Sequence, residues 1–159
     1  MKKIIIISLI LLIIILFTTN INVLVLYHYQ AEKPLMIFKI KPYDEFTVKW
    51  IHSVELTPWE EIFRIDNNYE IILDRTRFQQ FGAGVPDEAG TKTEIKNGYI
   101  TFSGIDQKMD MIPYGISCFA KHTFLFKNKT YNLYELVKDG DRINFYTDKS
   151  NLIKYLILK

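Results

Sequence analysis

The chain has 159 residues, 14% of them aromatic, with 20 Lys+Arg against 18 Asp+Glu. Two of the basic residues, Lys2 and Lys3, stand at the extreme N-terminus; the remainder is balanced at 18 of each sign. It lacks the basic surplus that holds a phosphate backbone, which excludes nucleic acid as a partner. The single Cys118 rules out an intramolecular disulfide and reads as a small buried hydrophobe.

In chain order, Lys2-Lys3 are followed by an unbroken apolar run from Ile4 to Phe17 and, after "TTNIN", by a second run from Val23 to Leu26. Taken as one helix, Ile4 to Leu26 would extend ~34 Å, enough for a ~30 Å hydrocarbon core. A cleaved signal peptide is the rival reading. It needs small residues at the cleavage site, and the first alanine, Ala31, has Leu26 and His28 upstream. The expectation is an uncleaved signal anchor over residues 1–27: a single-pass transmembrane helix with a cytoplasmic N-terminus. Residues 28–159 then form one extracytoplasmic domain, a length that suits a single core.

Past the anchor, short β-rich runs alternate with polar breaks: "LMIFKI", "EFTVKWIHS", "WEEIFRID", "YEIILDRTRF", "GYITF", "HTFLF" and "RINFYT". Aromatic and β-branched residues dominate the runs, and Asn, Asp, Gly and Pro fill the breaks. Hairpin turns are expected at Asp66 and Lys127, and a helical turn within "YNLYELVKDG". The fold class is all-β, an antiparallel β-sandwich or barrel preceded by one N-terminal transmembrane helix.

The most unusual stretch is "KWIHSVELTPWEEIF", Lys49 to Phe63. As a hairpin with Val54 to Thr57 in the loop, it sets His52 opposite Trp59, Trp50 opposite Glu61, Val48 opposite Phe63 and Phe46 opposite Ile65. All eight then share one face. Thr47, Lys49, Glu60 and Arg64 fall on the other, as a solvated face. His52 and Ser53, adjacent on a strand, point apart and cannot serve as base and nucleophile. The three histidines show no zinc-binding spacing, so no metal is expected; His52, Glu61 and His122 are the one combination to look for. His52 and Glu61 read either as a hydrogen-bonded structural pair or as the floor of a ligand pocket walled by Trp50 and Trp59.

A second unusual stretch, "RTRFQQFGAGVPDEAG", runs from Arg75 to Gly90. It has no Lys-Ser/Thr after the glycines and no following helix, so it is neither a P-loop nor a dinucleotide motif, and no cofactor is expected. Backbone amides at Gly82 to Gly84 suit an anion-binding nest. A tight loop packed beneath Phe81 is the plainer reading. Arg75 and Arg77 share a strand face and are placed to neutralise Glu60 or Glu61.

With its "IHSVELTPWEE" and "RFQQFGAGVP" motifs, and the later "HTFLF" and "YNLYELVKDGDRINFY", the chain resembles a bacterial and archaeal family of short proteins. Its members carry an N-terminal hydrophobic segment and a domain of unknown function. The resemblance covers most of residues 45 to 147. It implies a role beside TRAP transporters of the TAXI type, with the solute receptor or the permease as partner. The family supplies no catalytic residues. Its motif positions fall here on His52, Ser53, Glu55, Thr57, Pro58, Glu61, Phe81, Gly82, Gly84 and Pro86. Trp59 departs from the pattern, where a smaller apolar residue is expected.

Two functions from different classes follow. The favoured one is a membrane-anchored extracytoplasmic accessory or binding module. Its candidate ligand-binding residues are Trp50, His52, Ser53, Glu55, Trp59, Glu61, Phe81, Gly82, Gly84 and Pro86. The alternative is an extracytoplasmic enzyme using His52 and Glu61 as an acid–base pair.

Overall fold

The computed structural model describes residues 2–82 and 89–158, without the side chains of residues 2, 11–15 and 158. Helix α1 (Lys2–Thr18) opens the chain. Strand β1 (Asn20–His28) then pairs antiparallel with β2 (Lys33–Lys39) on one side and β11 (Arg142–Asn151) on the other. With β8 (Ile112–Gly115) these make a four-stranded sheet in the order β2-β1-β11-β8.

The second sheet is seven-stranded, in the order β10-β9-β3-β4-β5-β7-β6. Its strands are β3 (Glu45–Ile51), β4 (Pro58–Ile65), β5 (Ile71–Phe78), β6 (Lys92–Lys96), β7 (Tyr99–Met109), β9 (Thr123–Phe126) and β10 (Lys129–Asn132). A 3-10 turn over Leu133–Glu135 follows β10, and helix α2 (Leu152–Leu158) follows β11. All ladders among the described residues are antiparallel. The expected all-β class is correct, as a sandwich of two sheets.

Alternation along the strands builds the core. Leu24 and Leu26 of β1, Ile143 and Phe145 of β11, and Ile112 and Tyr114 of β8 face Phe46, Val48, Phe63, Ile65, Ile71, Phe124 and Phe126 of the larger sheet. Aromatic rings lock the layers: Phe46 stacks on Phe63 at 4.9 Å and on Phe145 at 6.2 Å. Where the larger sheet outruns the smaller, Trp59, Phe78, Ile100 and Phe102 form a second cluster, and Trp50 packs against both.

The hairpin turns form where the sequence places them. The Asp66 carboxylate accepts the Asn68 and Glu70 amides at 2.8 Å each, and Lys127 and Asn128 both take positive φ, the geometry that a two-residue hairpin requires.

The N-terminal expectation needs correction. Ile4 to Leu26 is not one helix, because α1 stops at Thr18 and Val23 to Leu26 lie inside β1. No helix among the described residues is long and apolar enough to cross a membrane. The sheet therefore begins at Asn20, eight residues before the expected boundary at 28. The β-branched Ile and Val of "INVLVLY" suit a strand as well as a helix, and the ladder to β11 decides between them. Cys118 is exposed, not buried. The expected solvated face of β3–β4 is also more covered than predicted, since Glu60 is buried between Arg77 at 2.8 Å and Lys49 at 3.3 Å.

Candidate functional site

The β3–β4 hairpin forms, but in a register two residues from the expected one. Phe46 lies opposite Phe63, Val48 opposite Glu61, Trp50 opposite Trp59, and Ile51 opposite Pro58. A two-residue slip leaves every side chain on its own face, so the expected face assignment survives while each expected partner changes. The observed register sets Phe46 on Phe63 and Trp50 on Trp59, whose rings stack at 5.8 Å with 20° between planes.

The slip releases His52 from the strand into the loop. The loop is closed by the His52 amide donating to the Thr57 carbonyl at 2.9 Å and the Leu56 amide to the His52 carbonyl at 3.0 Å. Leu56 takes φ +55 to complete the turn. The His52 ring stacks on Trp59 at 5.6 Å, and its Nδ1 contacts the Glu55 carboxylate three residues on. Glu55 in turn lies against Gly82, where any β-carbon would overlap its carboxylate. The two sequence motifs therefore meet through Glu55. Phe81 beside it is exposed, with its ring edge on Phe78 at 5.5 Å. Gly84 and Pro86, and with them most of the expected anion nest, lie outside the described residues.

A third segment, which sequence reasoning did not assign to the pocket, completes the corner. The Ile51 amide donates to the Ala120 carbonyl at 2.7 Å, extending the β3 edge beyond its ladder with β9. This brings His122 over Trp50, with rings 6.0 Å apart and 18° between planes. The Ser117 amide donates to His122 Nδ1 at 3.1 Å, which uses that nitrogen's lone pair and leaves the neutral ring's proton on Nε2. Burial holds the His122 pKa below the ordinary histidine value. The only sequence signal was a histidine just before an aromatic run; nothing local said that the run pairs with β3.

Between these segments is a pocket of about 370 Å³ lined by Trp50, Ile51, His52, Ser53, Trp59, Ala120 and His122. That volume lies within the ~300–1,000 Å³ typical of small-molecule sites. Trp59 Nε1 is buried and has no hydrogen-bond partner among the described residues. An aromatic-walled pocket lined also by Ser53 and by the His52 and His122 rings suits a ligand that presents an acceptor oxygen beside a flat or apolar body.

Of the expected ligand residues, Trp50, His52, Ser53 and Trp59 line this pocket, and Glu55 and Gly82 support it from behind. Glu61 does not join His52. It sits on the core face and accepts a hydrogen bond from the Tyr114 hydroxyl of the opposite sheet. Burial raises the Glu61 pKa, with the Tyr114 hydrogen bond opposing, while burial and the facing carboxylate push Tyr114 well above its ordinary value. Arg77 pairs with Glu60 as expected, whereas Arg75 pairs with Glu45 and Asp74. The described residues contain no cluster of three or more His, Cys, Asp or Glu able to hold a metal.

The family model for the domain of unknown function DUF1850 matches residues 46–133, more than half of the chain, from β3 through Leu133. The match takes in the β3–β4 hairpin from Phe46 onward, Gly82 and His122, and leaves β1, β2 and β11 outside it. No curated protein and no solved structure matches the chain. The chain belongs to the DUF1850 family.

Proposed function

We propose that this protein is a ligand-binding module held at the membrane by α1, with its β domain outside the cell membrane and in the service of a TRAP-type solute transporter. The observation that carries the binding half is the aromatic pocket in which Trp50 and Trp59 meet Ser53 and the His52 and His122 rings. A few polar groups converging in an apolar pocket fix a ligand's orientation, and the hydroxyl and ring N–H groups here favour occupants bearing an acceptor. The ligand class is a small carboxylate or carbonyl compound stacked on the tryptophans.

The anchoring half rests on α1. Ile4 to Ile7, Leu9 and Ile10 are each more than half exposed, an arrangement that water penalises and hydrocarbon does not. Lys2 and Lys3 precede it and favour a cytoplasmic N-terminus. The link to a TAXI-type receptor or TRAP permease follows from the family resemblance of the two motifs. Uptake measurements test the whole reading. In cells depending on the associated transporter, Trp59→Phe with His122→Phe keeps aromatic rings at both walls, removes the indole and imidazole nitrogens and lowers solute uptake. Unchanged uptake with the double variant at normal abundance contradicts it.

A further inference from the structure

The sandwich has a second concavity, far from the Trp50–His122 corner in its lining. Strand β2 is the edge of the smaller sheet and β10 the edge of the larger. Between them opens a groove of about 690 Å³ along Leu35 to Lys39, Phe126, Lys127, Lys129, Tyr131 and Tyr155. Its floor is apolar and aromatic: Phe38 contacts the rings of Phe124, Phe126 and Tyr131 at 5.3–5.5 Å.

The rim is basic. Lys39, Lys127 and Lys129 line it, and no acidic residue among the described ones does. Lys127 is committed to Asp44 at 3.0 Å and to the Lys39 carbonyl at 2.7 Å. Lys39 and Lys129 have no carboxylate within ion-pairing distance among the described residues. An apolar trough closed by two uncompensated ammonium groups is complementary to an anionic amphiphile.

Its place in the fold names the source. Tyr155, on the groove wall, belongs to α2, which packs on β2 and β11 and against α1. The β1–β11 ladder ends at Asn20 opposite Asn151, so both terminal helices leave the sandwich at one end. Leu156 and Ile157 of α2 are exposed like the residues of α1. We infer that this groove takes an acyl chain of an anionic phospholipid from the bilayer, with the phosphate held by Lys39 and Lys129. This rests on the reading of α1 as the membrane attachment.

Native mass spectrometry of the full chain, extracted in detergent and exchanged into phosphatidylglycerol or phosphatidylcholine micelles, tests the inference. Phosphatidylglycerol adducts should exceed phosphatidylcholine adducts several-fold. Lys39→Glu with Lys129→Glu should cut them at least five-fold at an unchanged melting temperature. Equal adducts of both lipids, or equal phosphatidylglycerol adducts in variant and wild type, overturn it. So does retention of free fatty acid alone. Resistance of the same chain to alkaline extraction from membranes reports separately on α1, so a failed groove and a failed anchor give different results.

Discussion

Glu55, in the β3–β4 loop, lies so close to Gly82 that a β-carbon there meets its carboxylate, and the same carboxylate contacts the His52 ring. The glycine accommodates this approach and is not demanded by a left-handed backbone, since Gly82 is absent from the positive-φ glycines. An alanine at 82 must displace Glu55. We expect Gly82→Ala to cost about 0.5–1 kcal/mol in urea unfolding, the scale of swinging a flexible carboxylate off its ring partner. In a Glu55→Ala background the same change should cost almost nothing, a coupling that a double-mutant cycle reads directly. Additive costs would show that the two motifs do not meet here.

Tyr114 and Glu61 join the two sheets across the core. Tyr114→Phe leaves a buried carboxylate without its donor, an expected loss of about 1–3 kcal/mol at neutral pH. The folded-state pKa of Glu61 is raised above its ordinary 4.5. Its contribution to stability is therefore fully present below 4.5 and lost as the pH rises through the folded value. The Tyr114→Phe defect should shrink on acidification, and Glu61→Gln should raise the melting temperature at pH 7 more than at pH 4. Thermal melts across that range check both.

His122 carries the opposite sign. Its folded pKa lies below the ordinary 6.5, so the unfolded chain takes up the proton first. The contribution is fully present above 6.5 and declines as the pH falls toward the folded value. His122→Asn, whose Oδ1 can still accept from the Ser117 amide, should flatten the loss of stability between pH 7 and pH 5. Parallel pH profiles of the two proteins would contradict this.

Because β1 is an interior strand between β2 and β11, the domain needs it. A chain starting at Thr19 should unfold cooperatively in denaturant. One starting at His28 should not fold, since it leaves β2 and β11 without their shared partner. Circular dichroism melts of the two truncations separate the outcomes. A stable fold from residue 28 onward would show that β1 is dispensable.

These relationships show what the sequence made legible. Which residues share a face could be read from alternation alone, so Phe46, Val48, Trp50, Trp59, Glu61, Phe63 and Ile65 were correctly grouped. Which residues sit opposite one another could not, because a two-residue slip preserves every face and only loop geometry and ring pairing decide it. That slip separated His52 from Glu61. The remaining misses are long-range. The β1–β11 ladder turned an apolar run into a strand, β8 supplied Tyr114, and the Ile51–Ala120 hydrogen bond delivered His122. None leaves a local mark.

The most direct test of the central claim, that the Trp50–Trp59–His122 corner binds an acceptor-bearing solute, is an indole N–H titration. The chain has only two tryptophans, so a ¹⁵N-labelled protein gives two indole resonances, and Trp59→Phe assigns them. Titrated with acetate, succinate, pyruvate and glutamate in turn, the Trp59 indole resonance should move saturably with at least one, and His122→Phe should weaken that response at least ten-fold. A Trp59 resonance that stays fixed throughout the series would contradict the account.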